Sequence, residues 1–341
     1  MILYQNIYHM LAYAFQVLDA QGYQNVALEN FENTAELLSA ILCKGVSVQI
    51  KRGLQREYIR IEEPLSSPKG KILVSDSIRT MTMRSKQLTC SYDDFSVNAY
   101  HNRIIRTTFD ILLKANISKE RKKDIRKLLV FFDSIEPLDI HTINWKQRYN
   151  RNNQTYKMLV SICYMVIKGL LQTTSDGTTK LMDFLDEQRM CRLYEKFILE
   201  YYRKHYPQIK ASASQIDWAL DDDFSVMLPT MQSDVMLTYG NKTLIIDAKY
   251  YGKTTQTQYD VHTLHSNNLY QIFTYVKNHA VFCEDVSGML LYAKTDETIQ
   301  PDQSYMMSGN KISVKTLDLN TDFANISKQL NSIINTHFGI E

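Results

Sequence analysis

SDVMLTYGNKTLIIDAKYY, residues 233–251, reads as two strands closed by a two-residue turn. Gly240-Asn241 suits a type II′ hairpin, which needs glycine at its first central position. Closing on that turn pairs Tyr239 with Lys242, and counting outward sets Asp234 opposite Asp247. Facing residues at such a pair have Cβ atoms about 4.5–5.5 Å apart, and like charges there are destabilising. A hard divalent cation reverses that sign, because Mg²⁺ is bound by one or two carboxylates plus phosphate oxygens. Lys249 lies two residues beyond Asp247, so strand alternation puts it on the same face. Val235, Leu237 and Ile246 point to the other face, towards a core. An acid-x-Lys triplet alone is weak, since Glu120-x-Lys122 matches it on a basic helix without a hairpin. The facing aspartate is what singles out Asp234, Asp247 and Lys249 as candidate catalytic residues. A metal held there would polarise a phosphodiester and lower the pKa of a bound water. Lys249 would orient or deprotonate that water, or stabilise charge developing on phosphorus. The competing reading is a surface hairpin whose aspartates each pair with some lysine.

Outward from the hairpin, a helix at about 187–204 carries Leu193, Phe197 and Tyr201 at i, i+4 spacing. Glu195 on that helix is either a further metal ligand or a solvated glutamate. Strands follow at about 209–216, 225–239 and 243–251. Ser266 is a candidate N-cap for a helix reaching about 278, which buries Leu269, Ile272, Phe273 and Val276. Gln271 and Tyr275 sit four apart opposite that stripe, as DNA-backbone contacts or as ordinary surface polars. Then come GMLLYAK, KISVKTLDL and a last amphipathic helix near 322–337. The order α-β-β-β-α-β implies a mixed sheet flanked by helices.

Ahead of this region, helices are expected at 5–18, 34–44, 98–115, 118–131 and 154–171. Strands are expected at 46–50, 57–61 and along ILVS, with Gly53 as a turn. The polar stretch QTTSDGTTK, 172–180, separates two apolar-periodic segments. It divides the chain into an N-terminal domain, 1–175, and a C-terminal domain, 176–341. At 341 residues, two domains are the default for one chain.

Composition narrows the class. Residues 1–175 hold 24 lysines and arginines against 16 acids, net +8, whereas the remainder holds 15 against 21, net −6. A basic half can meet nucleic acid or an acidic partner. An acidic half acting on DNA needs metal ions or a partner to hold phosphates. The five cysteines are dispersed, with no Cys-x-x-Cys pair, which fits free thiols in a reducing compartment. No run reaches the roughly 20 apolar residues of a membrane span, and MILYQNIYHMLAYAF lacks a basic leader region, so a cytoplasmic location is expected. Gly252-Lys253-Thr254 imitates the end of a phosphate-binding loop, but Asp247 stands where its first glycine belongs.

Glu195, Asp234, Asp247-x-Lys249 and Gln271-x-x-x-Tyr275 together resemble the PD-(D/E)xK nuclease superfamily in its RecB-like variety. Ser233 replaces the proline of that motif's first dipeptide. The resemblance extends along the chain. NIYHMLAYAF (6–15), RGL (52–54), KGKI (69–72), SIR (77–79) and NRIIRTT (102–108) are similar to the N-terminal region of the McrC family, and LYEKF, DAKYY and HSNNLYQIFTY to its nuclease region. The resemblance implies an N-terminal mixed α/β partner-docking domain followed by a restriction-endonuclease-like αβββαβ domain. It also implies a Mg²⁺-dependent endodeoxyribonuclease subunit of a modification-dependent restriction system. The implied partners are double-stranded DNA, with modified cytosine read by the partner protein, and a McrB-type AAA+ GTPase hexamer. By position, Arg79 matches the arginine expected to reach towards that partner's nucleotide site; the alternative is an exposed, salt-bridging arginine. Two other functions stay open: a non-catalytic activator of the AAA+ partner, and a RecB-like repair nuclease acting alone.

Overall fold

The structure is a computed structural model that describes residues 3–15, 31, 33–149, 153–176, 187–222, 224–251, 255–258 and 261–340. Two compact units emerge: residues 32–181, and residues 1–31 together with 182–341. The predicted split at 175/176 therefore fails for the first helix, α1 (Tyr4–Phe15), which belongs with the C-terminal unit. Its apolar face explains why: Ile7, Met10, Leu11 and Ala14 are buried, and Tyr13 stacks among Phe197, Tyr201 and Phe323. Asn6 completes the attachment, its amide donating to the Leu319 and Thr321 carbonyls at 2.8 and 2.7 Å. Asn6→Ala leaves those carbonyls without a donor, at a cost of about 1–3 kcal/mol. Chemical denaturation should show that loss, and Asn6→Asp should not repair it, because a carboxylate cannot donate to both carbonyls.

The 32–181 unit begins with α2 (Thr34–Arg52), whose N-cap Asn33 accepts the Glu36 N–H at 2.8 Å. The strand expected at 46–50 is part of this helix. Leu38, Ile41, Leu42, Val46 and Gln49 are buried at helical spacing, so packing overrides the β-preference of the valines. The helix stops at Gly53, which takes φ +90°. Next come β1 (Glu57–Leu65), β2 (Lys71–Ile72) and β3 (Leu88–Ser96), a three-stranded antiparallel sheet in the order β1-β3-β2. ILVS is strand only at Ile72, and Val74 already opens the short helix α3 (Val74–Arg79). Among the described residues, the unit's other α-helices are α4 (Tyr100–Leu112), α5 (Lys119–Leu129) and α6 (Gln154–Asp176).

The C-terminal unit runs α7 (Glu187–His205), β4 (Lys210–Ser212), β5 (Gln215–Ile216), β6 (Met231–Gln232), β7 (Val235–Tyr239) and β8 (Lys242–Lys249). It continues with β9 (Thr255–Gln258), β10 (Val261–Leu264), α8 (Ser266–His279), β11 (Asp285–Ala293), β12 (Gln303–Met307), β13 (Asn310–Leu317) and α9 (Phe323–Phe338). Six strands form a mixed sheet in the order β12-β13-β11-β8-β7-β4. Its centre is parallel, β13 beside β11 and β11 beside β8. Every residue from Thr243 to Ala248 is buried, which is why LIIDA reads as an unbroken apolar run with one acid inside it. The β7–β8 register is the predicted one, Tyr239 opposite Lys242 and Val235 opposite Ile246, with Gly240 at φ +59°. The residue capping α8 is His265, and Ser266 is its first helical residue. Gly288 of β11 lets α8 lie close, since a Cβ there would come within 2.7 Å of the Val276 side chain. Residues 252–254, which carry the phosphate-loop imitation, lie outside the described set. Among the described residues, no helix is long and apolar enough to cross a membrane.

Candidate active site

Asp234 ends the loop that enters β7, and the register sets it opposite Asp247 in β8. Met236 and Ile245 pack with Ile272 and Val276 of α8, so alternation turns Asp234, Asp247 and Lys249 to the same side. Val235, Leu237 and Ile246 are fully buried on the opposite side. Asp234 Oδ2 accepts the Ala248 N–H at 2.9 Å, tying its carboxylate across the hairpin. Asp247 is 1% exposed. Lys249 Nζ lies 2.8 Å from Asp247 Oδ2, so that buried oxygen is held in an ion pair with the ammonium.

Burial, then the charges of Asp247 and Glu195, push the Asp234 carboxyl up to about 8, against the pull of Lys249 and the Ala248 N–H. Burial also raises Asp247, with Lys249 and a hydrogen bond from Asp234 opposing. Burial opposes the charge on Lys249, but Asp247 and Asp234 outweigh it and keep the ammonium protonated. Without a further cation, the two acids thus hold a proton between them at neutral pH.

Lys249 Nζ also donates to Gln271 Oε1 at 3.2 Å, and Gln271 Nε2 donates to the Tyr275 hydroxyl at 2.9 Å. Gln271 therefore meets the acid–lysine group, as a brace for the ammonium. Tyr275 departs from the expected exposed polar face. It is buried with Ile272, Val276 and Leu290, because α8 sinks its Asn268–Tyr275 face into the sheet. Glu195 looks on from α7 and accepts the Cys191 thiol at 3.1 Å. With Arg192, Leu199, Arg203, Ser233 and Asp234 it lines an open cleft of about 530 Å³. Among the described residues, no three His, Cys, Asp or Glu side chains stand together as a metal-ligand set, so Glu195 joins the site by charge and by the cleft. Arg79, in the other unit, is on α3; its side chain is 79% exposed and bonds Asp76 Oδ1 at 2.8 Å.

Three residues of this site were not foreseen. The Tyr251 hydroxyl donates to Asn268 Oδ1 at 3.3 Å, and Asn268 Nδ2 donates to the Tyr292 hydroxyl at 3.0 Å. Tyr292 stands beside Lys249 in the parallel β11–β8 pairing. Asn268 carried a signal, since it lies three residues before Gln271 on the same helix face. Tyr292 carried none, because a tyrosine inside GMLLYAK reads as core.

The donors suit Mg²⁺. Two carboxylates facing each other across the hairpin, both raised by burial and needing positive charge, leave the remaining coordination to phosphate oxygens and water, as this hard cation prefers.

The fold and the site define a helix-flanked mixed sheet with a buried acid–acid–lysine cluster on its central hairpin. Residues 4–293 match the family described as McrBC 5-methylcytosine restriction system component, and the chain belongs to that family. It is similar to the Escherichia coli (strain K12) protein described as type IV methyl-directed restriction enzyme EcoKMcrBC. The two are 26% identical over 340 residues, which cover 98% of this chain and 97% of that protein. Its fold resembles a chain in the half-complex of Thermococcus gammatolerans McrB AAA+ hexamers with bound McrC. That match has a TM-score of 0.53 and 17% identity, covering 97% of this chain and 76% of that one.

Proposed function

We propose that this chain is the Mg²⁺-dependent, PD-(D/E)xK-type endodeoxyribonuclease subunit of its restriction system and acts with a McrB-type AAA+ GTPase hexamer. The observation that carries the reading is Asp247: a fully buried carboxylate that faces a second aspartate and is paired at 2.8 Å with a lysine ammonium. A sequence shaped for stability alone has no need of that arrangement, since replacing such a buried cluster as a whole by packed apolar side chains is often neutral or stabilising. Asp234 and Asp247 would hold the cation, which when bound polarises the scissile phosphate and makes a water nucleophilic at neutral pH. Lys249, kept protonated by the two acids, neutralises charge developing on the phosphate oxygens. Gln271 fixes the ammonium in place, and Tyr275 fixes Gln271.

The partner reading draws on the family and on the Thermococcus gammatolerans assembly, whose description names McrC bound to McrB hexamers. The 32–181 unit would carry the docking surface. Arg79 stands on α3 near exposed Ile78, Met81 and Met83, a combination of arginine and apolar side chains suited to an interface. Arg79→Ala is expected to lower stimulation of the partner's GTP hydrolysis at least tenfold while leaving the fold intact. The test is GTP turnover and cleavage of methylated and unmethylated plasmid by this chain with its AAA+ partner and Mg²⁺. Unchanged turnover would remove Arg79 from the interface. Robust cutting by the chain alone, without partner or GTP, would overturn the restriction-subunit reading.

A further inference from the structure

Next to the acid–lysine group lies an open slot of about 340 Å³ between α8 and the 218–231 segment. Trp218 and Pro229 form one wall; Asn267, Tyr270, Gln271 and Thr274 belong to the other. The indole is held in place, its Nε1 donating to the Pro229 carbonyl at 2.8 Å, and the neighbouring Ala219 N–H donates to Asn278 Oδ1 at 2.8 Å. Tyr270, by contrast, is 65% exposed although it sits in a helix with a buried face in reach. No lining residue is charged. Asp217, Asp221 and Asp222 lie on the chain on either side of Trp218, where they disfavour phosphates. Fixed aromatic surface, amide and hydroxyl edges, and no cation make a poor place for a phosphate and a good one for a flat neutral ring. Gln271 joins this slot to the chemistry, since the same side chain lines the slot and accepts from Lys249 Nζ.

We propose that this slot takes an unstacked nucleobase of the DNA strand next to the scissile phosphate, stacked against Trp218 and Tyr270. The proposal rests on the nuclease reading of Asp234, Asp247 and Lys249 and adds to it the form of the substrate. The strand entering this site is locally single-stranded or has a base turned out of the duplex, because a paired base exposes only its edge. Stacking on aromatic side chains is tolerant of sequence, which leaves recognition of the modified base to another part of the complex.

The chain has two tryptophans, Trp145 and Trp218, so Trp145→Phe isolates the signal of Trp218. Trp145 packs edge-on against Tyr164 in the other unit, and phenylalanine preserves an aromatic contact there. The Trp145→Phe full-length chain, in EDTA to prevent cutting, is titrated with a single-stranded oligothymidylate. Saturable quenching of Trp218 is expected, with about tenfold weaker binding for Tyr270→Ala and little change for Tyr270→Phe. An abasic strand of equal length should quench far less, and a blunt duplex should quench only weakly. Absence of quenching by the oligothymidylate overturns the proposal. So does equal quenching by the abasic strand, which would mark a phosphate site, or by the duplex, which would need no unstacked base. Quenching by thymidine monophosphate as strong as by the strand would mark a free-nucleotide pocket and also overturn it. Binding is read without cleavage, so it stands or falls separately from the catalytic reading, which the Asp247→Ala cleavage assay decides.

Discussion

Asp247→Ala is expected to lower DNA cleavage at least about 10³-fold while GTP hydrolysis by the AAA+ partner, stimulated by the same variant, stays within a factor of about two of wild type. The separation follows from location. Asp247 is buried in the sheet centre of the unit formed by residues 1–31 and 182–341, whereas Arg79 belongs to the unit formed by residues 32–181. Alanine removes one of the two carboxylates proposed to hold the metal, together with the nearest counter-charge of Lys249, whose Nζ lies 2.8 Å from Asp247 Oδ2. The conservative comparison is Asp247→Asn, which keeps the volume and removes the charge; it should cut as poorly as alanine if charge is what matters. Supercoiled plasmid cleavage and GTP turnover in the same reaction make the measurement. If Asp247→Ala still cuts, the assigned site is wrong, and the chain is better described as an activator of its partner. If cutting and GTP turnover fall together, the substitution has damaged the whole complex, and Asp247→Asn then decides between structure and chemistry.

How much of this was legible differs by element, for physical reasons. The hairpin was legible because a glycine-led two-residue turn fixes register, and register alone sets Asp234 opposite Asp247. The central sheet was legible as a long apolar run with turn residues at its ends. The region from 46 to 96 was legible only at the strand expected over 57–61, which opens β1. Val46 and the following residues extend a helix only because other side chains bury them. β3 reads as polar, LTCSYDDFS, since it is a half-exposed strand whose partners are β1 and β2. The assignment of α1 to the C-terminal unit was also out of reach. It depends on an amide meeting carbonyls more than 300 positions away, and no local pattern encodes such a contact. At the site, charges at fixed strand spacing were readable, and so was the Gln271 and Tyr275 pair, but not what those two side chains touch. Gln271 and Tyr275 are four apart on one helix face in either environment, and only the packing of α8 shows that this face lies on the sheet. Asn268, Tyr251 and Tyr292 form a hydrogen-bonded line that ordinary core spacing conceals.

The same burial that prepares this site should make it a stability burden, which gives an expectation of the opposite sign from the loss of activity. Burial and the neighbouring acids push the Asp234 carboxyl up to about 8 in the folded chain, against about 3.9 in an unfolded chain. Between those values the folded state binds more protons than the unfolded one, so unfolding free energy falls as pH rises through the window and levels off above it. Asp247 is raised as well and acts in the same direction. Asparagine at 234 is neutral at every pH and preserves the shape of the side chain. In EDTA, Asp234→Asn should therefore match wild type near pH 4, flatten the decline between about pH 4 and 8, and melt several degrees higher at pH 8. Mg²⁺ should reverse the ranking, since a cation held by both carboxylates offsets their repulsion and stabilises only the state that binds it. Wild type would gain melting temperature with added Mg²⁺ at pH 8, and Asp234→Asn would gain little. Thermal melts of both chains across this range, with EDTA and with Mg²⁺, make the comparison. A variant that melts lower than wild type at pH 8 in EDTA would mean that the ionised carboxylate is a structural contact, held by the Ala248 N–H and Lys249. Indifference of wild type to Mg²⁺ would remove Asp234 from the metal site altogether.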